Sequence, residues 1–336
     1  MDGLIRSFNF MFQAKVTTSE LILPLVTSPY YSYVFPDKHR FPMQKFRHLV
    51  EYLEIQGIVT SRNVYRPGQV RRDVLELAHC PKYLQRFIDG ELSDKEVRRL
   101  GLPWSEGLLK RSLISPNGTL LTAVLALNNG LACHLAGGTH HAHWDFGSGY
   151  CAINDLAVAA LCLLRQGKVK RVLIFDCDVH QGDGTARILA ETSEVFTCSI
   201  HCEKNFPQRK ANSDLDVNVP PNTHDEEYLR ILESTLETAL EQSKPDLVIY
   251  DAGVDVYEHD PLGLLNISLE GIRHRDAYVL NTVLSLGVSI ATVIGGGYDR
   301  DQQALARRHA IVVEEAYKTY LRKHQNDKTS NKANRT

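Results

Sequence analysis

The apolar residues of this chain recur at two periods, and the two alternate. Between Pro42 and Ile55, residues Phe46, Leu49, Val50, Leu53 and Ile55 fall at helical spacing, which predicts an amphipathic helix. Short helical pieces follow from Val70 to about Leu109. Ser115 and Pro116 predict the N-cap and first-turn proline of a helix reaching Cys133. Further helices are expected over Ile153–Leu164, Gly184–Ala190, Asp225–Glu241, Leu269–Leu286 and Gln302–Leu321. The runs Val172–Phe175, Val195–Ile200, Leu247–Tyr250 and Val288–Ile294 are short and apolar, as strands buried on both faces require. Strands separated by helices imply βαβ units. The expected fold is therefore α/β, a single-domain open, mostly parallel sheet flanked by helices. No internal repeat or interdomain linker stands out, and Pro220-Pro221-Asn222 marks a loop.

Composition narrows the class. The chain has 336 residues, 43% hydrophobic and 23% charged, with a formal net charge of -2. That near-neutral balance gives no basic footprint, so no direct nucleic-acid binding is expected. No apolar stretch approaches the about 18 residues of a membrane span. The seven cysteines form no CxxC pair and are read as reduced thiols, which points to an intracellular setting. Cys177 and Cys198 sit within strand-like runs and read as core. Residues 1–27 form an N-terminal segment, extended or the remnant of a targeting sequence, although Asp2 and the lack of Arg/Ser enrichment argue against a transit peptide. Residues 28–323 are expected to form one folded domain, and the polar stretch 324–336 reads as a disordered tail.

The chemistry lies where the apolar runs end. Val172-Leu-Ile-Phe-Asp176-Cys-Asp178-Val-His180 starts as a buried strand and finishes in two carboxylates and an imidazole. Alternate strand residues share a face, so Asp176, Asp178 and His180 project together. Buried charges of this kind need a partner or a metal. In open parallel sheets ligands bind beyond the carboxyl ends of the strands. That gathers Gly137-Gly-Thr-His140-His141, Asp176 to Asp183, Asp251-Ala-Gly-Val-Asp255 and Gly295-Gly-Gly-Tyr298 around one crevice. Asp178, His180 and Asp255 supply a three-ligand site with room for water, as a catalytic zinc takes. A metal there would acidify water and polarise a carbonyl. His140 and His141 suit acid–base work near neutrality. Asp176 and Asp183 could set their tautomers. Tyr298 can donate its hydroxyl to a developing oxyanion. Together these parts describe hydrolysis of an amide or similar carbonyl compound. His134, His143 and His201 stand alone and read as structural or surface residues, Asp251 as a hydrogen-bonding group at a strand end, and Cys151 as packing.

The segments GGTHHAHWDFGSGYCAIND, FDCDVHQGDGTA, DAGVDVYEHDPLG and GGGY resemble the zinc-dependent histone deacetylase family, from about Ser28 to about Tyr320. His39-Arg-Phe-Pro-Met43, Glu203 to Lys210 and Ser213-Asp-Leu-Asp216 resemble its bacterial and class IV-like branch. The resemblance implies an arginase-like fold. It implies Asp178, His180 and Asp255 as ligands of zinc, with ferrous iron as the alternative. It implies His141 as general base and acid with Asp183, His140 as its electrostatic partner with Asp176, and Tyr298 as the group that polarises the acyl carbonyl. Gly149 and Tyr150 match one wall of the acyl-lysine channel, Phe206 the opposite wall and Leu262 its rim. A structural potassium ion is implied at Asp176, Asp178, His180 and Ser199. The implied substrate is an acyl-lysine protein, histones included. The implied compartment is nucleus or cytoplasm, with an organelle left open; the resemblance says nothing of oligomeric state.

Some positions depart from the family pattern. Tyr150 replaces the usual phenylalanine, and His259 stands where glycine is common. The family's rim aspartate has no clear match, Glu106 being the nearest candidate. A binuclear arginase-type site needs Asp-x-His-x-Asp, and the last position here is Gly182, so one metal is favoured. Two other readings compete with a lysine deacylase. One is a small-molecule enzyme such as an acetylpolyamine amidohydrolase. The other is a non-catalytic scaffold, which would have no need of the whole residue set.

Overall fold

The computed structural model describes residues 22–333, with side chains to Lys323. The N-terminal segment expected over 1–27 lies outside the described residues as far as residue 21. In chain order, β1 (Leu25–Val26) leads through helix α1 (Lys45–Ile55) to β2 (Val64–Tyr65). Helices α2 (Arg72–Leu75), α3 (Pro81–Asp89), α4 (Asp94–Leu100) and α5 (Glu106–Asn129) precede β3 (Leu131–His134). Then α6 (Asp155–Arg165), β4 (Val172–Asp176), α7 (Asp183–Leu189), β5 (Val195–Cys202), β6 (Leu215–Val219), α8 (Asp225–Ser243), β7 (Leu247–Asp251), α9 (Leu269–Ser285), β8 (Ser289–Val293) and α10 (Gln302–Ala333) complete the chain. The eight strands form one sheet in the order β2-β1-β3-β8-β7-β4-β5-β6, and every pairing is parallel. All residues of β3, β4 and β7 are buried, as strands covered on both faces must be.

Local chemistry explains the element ends. Ser93 and Glu96 form a reciprocal capping box at α4. The Ser105 hydroxyl accepts from Leu108 N–H at the start of α5, the Asn154 side chain from Ala157 N–H at α6, and the Ser268 hydroxyl from Gly271 N–H at α9. Three expectations need correction. The helix placed from Ser115 to Cys133 starts earlier, at the Ser105 cap, carries Pro116 inside it and stops at Gly130; Leu131–His134 is a strand. The Ser105 cap and the long buried face of this helix together offset the lost donor and ring clash that Pro116 imposes. The sheet begins at Leu25, ahead of the boundary drawn at Ser28, because Leu25 and Val26 are fully buried between β2 and β3. The last helix continues past Leu321 to Ala333, so the stretch expected as a disordered tail is helical that far; no proline or glycine interrupts it.

Two buried histidines tie the folded state to pH. His134 lies between the Tyr31 hydroxyl, 2.7 Å away, and the Thr119 hydroxyl, 2.9 Å away. His79 accepts from Asn154 N–H at 2.8 Å. Burial lowers His134 to about 3 and His79 to about 4, so both rings are neutral in the folded protein. The unfolded chain takes up these protons near pH 6.5, whereas the folded chain resists them. Stability is therefore intact above that value and is lost as pH falls. At pH 5 each histidine should remove about 2 kcal/mol. Urea midpoints between pH 7 and 5 should fall steeply, and His134→Gln should flatten that slope. An unchanged slope in the variant would refute the assignment.

Candidate active site

The site is assembled where β4 and β7 end. Asp176 and Asp251 close these strands side by side in parallel register. The chain beyond β4 delivers Asp178 and His180, and the chain beyond β7 delivers Asp255. Nδ1 of His180 lies 3.0 Å from Asp178 Oδ1 and 3.1 Å from Asp255 Oδ2. The other carboxylate oxygens are occupied: Gly296 N–H donates to Asp178 Oδ2 at 2.7 Å, and Val179 N–H to Asp255 Oδ1 at 2.9 Å. Asp178 Oδ1 also accepts from His180 N–H at 2.9 Å, and it converges with His180 Nδ1 and Asp255 Oδ2 from two loops. Their spacing is close to the roughly 3.3 Å edge of a tetrahedron with bonds of about 2 Å. These residues form a group that could hold a metal ion. Burial would lower His180, yet its hydrogen bonds to Asp178 and Asp255 outweigh that and raise the ring to about 10. Gly296 is required here, since a Cβ would strike both carboxylates.

Arg275 of α9 supports this arrangement from behind. It is fully buried and pairs with Asp276 at 2.9 Å. Its guanidinium also donates to the carbonyls of Cys177, Ala252 and Gly253, the backbone that carries Asp178 and Asp255. Arg275 is not legible in the sequence, because a basic residue within an amphipathic helix reads as surface.

The two adjacent histidines meet different carboxylates. His140 Nδ1 lies 2.7 Å from Asp176 Oδ2, and its Nε2 is 3.8 Å from Asp178 Oδ1. Burial opposes a charge on this ring, but Asp176 and then Asp178 overcome it and raise His140 well above the ordinary histidine range. His141 Nδ1 lies 2.7 Å from Asp183 Oδ1. Burial and the neighbouring charge of His140 outweigh that carboxylate and lower His141 to about 4. His143, read from sequence as isolated, is buried and lies 3.1 Å from Asp183 Oδ2, so one carboxylate holds two imidazoles. Its spacing two residues after His141 was the available signal. His134 and His201 are buried in hydrogen bonds to hydroxyls, His201 to Ser199 Oγ at 3.0 Å.

Tyr298, His140, His141, Asp178, His180, Gly149 and Tyr150 all line one open cleft. Burial, then the charge of Asp255, raises the Tyr298 hydroxyl well above its ordinary value, so it stays protonated. Tyr150 has a left-handed backbone, φ 67°, and its ring centroid is 5.8 Å from that of Tyr298. The Phe206 ring, nearly half exposed, meets His141 edge-on at 4.8 Å. Phe206 and Leu262 lie outside the inner cleft, and Asn205 Nδ2 donates to the Leu262 carbonyl at 2.6 Å. Ser199 pairs with Asp176 across β5 and β4. Glu106 is not brought to the cleft; it is exposed in the first turn of α5, where a carboxylate favours the helix start. Asp251 is also corrected. Both its oxygens are buried without a hydrogen bond among the described residues, and burial, then Asp176, raises it well above the carboxylate range. With His140 and Asp176 it forms another group of metal-holding type.

A parallel α/β sheet with carboxylates and imidazoles converging at its strand ends has the makings of a metal-assisted hydrolase. The histone deacetylase domain matches residues 39–315, and the chain belongs to that family of deacetylase enzymes. An uncharacterized protein of a Picosynechococcus species is 48% identical over 88% of this chain and 99% of its own length. Histone deacetylase 2 of Arabidopsis thaliana is 29% identical over 77% of this chain and 70% of its own length. The acetoin utilization protein AcuC of Staphylococcus aureus is 30% identical over 80% and 74%. A crystal structure of an HDAC homologue complexed with SAHA superposes with a TM-score of 0.74 at 23% identity, covering 88% of this chain and 84% of that one, which establishes the shared fold. Among the described residues, no helix is long and apolar enough to cross a membrane.

The donor cluster makes a direct prediction. Zinc titrated into the metal-free protein should bind one ion per chain. At 100 times its dissociation constant it should stabilise the fold by about 2.7 kcal/mol. His180→Ala should abolish the thermal shift, and a full shift in that variant would place the ion elsewhere.

Proposed function

We propose that this chain is a metal-dependent deacylase that removes acetyl or longer acyl groups from lysine side chains of histones or other proteins. The observation that carries this reading is the placement of Tyr298, His141 and the Asp178–His180–Asp255 group around one cleft. Zinc is the expected metal, with ferrous iron as the alternative. A structural potassium ion is proposed at Asp176, Asp178, His180 and Ser199. When bound, the divalent ion acidifies water and polarises the acyl carbonyl.

The chain's own residues do the rest. Asp183 accepts at His141 Nδ1, which fixes that proton and leaves Nε2 to take one from the attacking water. A ring lowered to about 4 is neutral at pH 7 and ready to act as base. The same Nε2 then gives the proton to the departing lysine nitrogen. His140, held cationic by Asp176, steadies the negative charge that develops beside it. The protonated Tyr298 hydroxyl donates to the acyl oxygen as it gains charge. Phe206 on one side and Gly149–Tyr150 on the other confine the lysine stem, with Leu262 at the rim.

A second reading, hydrolysis of an acetylated small molecule such as a polyamine, draws support from the similarity to a protein named for acetoin utilization. One panel separates the two: zinc-loaded protein with acetyl- to myristoyl-lysine peptides and acetylated polyamines. Peptide turnover is expected, and His141→Ala and Tyr298→Phe should each lower kcat by about 100-fold or more. Turnover of polyamines alone would transfer the assignment to small molecules. An unchanged rate in Tyr298→Phe would remove the proposed oxyanion role.

A further inference from the structure

The inner end of the same cleft contains two buried cations. Arg111 of α5 and Lys45 of α1 line it together with Phe41 and Phe46. Arg111 is 6% exposed and Lys45 2%. Among the described residues Arg111 makes no hydrogen bond or ion pair; its Nε is buried without a partner, and its guanidinium is sandwiched against Phe46 at 4.5 Å and Phe41 at 5.3 Å. Lys45 Nζ reaches the carbonyls of Gly295 and Gly297, at 3.4 and 3.3 Å, and lies over the rings of Phe41, Phe46 and Tyr298. Burial, then the charge of Arg111, lowers Lys45 to about 8. Asp155 is the carboxylate that acts on Arg111, but its oxygens already accept from Thr119, Thr139 and Gly138. Asp255, Asp178 and Asp260 act on Lys45; a divalent ion on the first two would take up their charge, and the oxygens of Asp260 already accept from Leu262 and Tyr298 N–H. Two desolvated cations therefore face a cavity with no anion of the chain's own to neutralise them, a costly arrangement unless a ligand supplies one.

We propose that this end of the cleft binds the distal carboxylate of a dicarboxylic acyl group, and that the enzyme removes malonyl-, succinyl- or glutaryl-type groups from lysine. The inference rests on the deacylase reading above and adds the acyl class. The aromatic rings trace the path. Tyr298 is 5.8 Å from Tyr150, Tyr150 is 5.5 Å from Phe41, and Phe41 stacks on Arg111. An acyl carbonyl at Tyr298 thus directs its chain along these packed rings toward the guanidinium, whose planar fork matches a carboxylate in two parallel hydrogen bonds. A plain fatty chain would instead seal Arg111 into apolar surroundings with nothing to accept from it. Hydrolysis breaks the amide C–N bond, adds the hydroxyl of water to the acyl carbon and a proton to the lysine nitrogen, and frees a dicarboxylate.

Two measurements on the zinc-loaded full chain test this. In the first, kcat/KM is compared for glutaryl- against valeryl-lysine and succinyl- against butyryl-lysine in one peptide, with acetyl-lysine as reference. The best charged group should exceed its uncharged match by about tenfold or more. Arg111→Leu should reverse that ratio and Arg111→Lys should restore part of it. Turnover of acetyl and butyryl peptides with none of the charged ones would overturn this inference and leave the deacylase reading intact. The second measurement is equilibrium binding of free glutarate and valerate. Each offers one carboxylate to the metal, but only glutarate has another for Arg111. Glutarate should bind about tenfold more tightly, and the difference should vanish in Arg111→Leu. Equal binding in the native protein overturns the inference even where no peptide is turned over, the result by which the deacylase reading itself would fail.

Discussion

Like-charge crowding at the ends of β4 and β7 is the constraint around which the rest is arranged. Asp176, Asp178, Asp251 and Asp255 are each at most 3% exposed and belong to neighbouring strand ends and loops. Four carboxylates cannot share a dry space of that size as bare anions. Backbone N–H groups, two imidazoles and the Arg275 clamp on the surrounding carbonyls make the cluster tolerable. They also aim a lone pair each of Asp178 and Asp255 at one point beside His180. Glycine follows from the same crowding. At Gly296 the backbone must approach two carboxylates closely enough to donate to one of them, and any side chain would intervene.

The cluster also separates two histidines that are chemically identical and adjacent in sequence. His140 faces Asp176 and Asp178, and that field exceeds the cost of burying its charge. His141 faces Asp183, whose second oxygen is occupied by His143, and it feels His140 as a cation beside it. One ring is held charged and the other neutral. The roles proposed for the pair, a fixed positive charge beside a vacant basic nitrogen, require this division. Packing alone would not produce it, since both rings are nearly completely buried.

The central strands and the polar residues at their ends were legible because few structures besides a buried strand entering a polar site combine an unbroken apolar run with terminal carboxylates. β4, β5, β7 and β8 were found with small differences at their ends. The two-residue edge strands β1 and β2 carry too little pattern to register. β3 was absorbed into a helix, because Ala and Leu before it suit either state and Pro116 invited a helix start. Polar residues that act through partners distant in sequence were the least legible. His143 and Arg275 acquire meaning only when Asp183 and the carbonyls after β7 are brought to them by the fold. Arg111 belongs with these, since nothing in its local sequence distinguishes it from a solvated residue on a helix.

The mouth and the floor of the cleft are joined by one small carboxylate. Asp260 Oδ1 accepts from Leu262 N–H at 2.9 Å, and its Oδ2 from Tyr298 N–H at 2.7 Å. Asn205, next to Phe206, donates to the Leu262 carbonyl and accepts from Leu264 N–H. The Phe206 loop, the segment after Asp255 and the glycine turn bearing Tyr298 are therefore one hydrogen-bonded unit, although they lie far apart in the chain. A shift of the rim must be felt at Tyr298, because both are fixed to opposite oxygens of the same side chain. That coupling gives the aspartate of the Asp260-Pro261-Leu262 run a mechanical role. It keeps the Leu262 segment in register with the hydroxyl proposed to receive the acyl carbonyl.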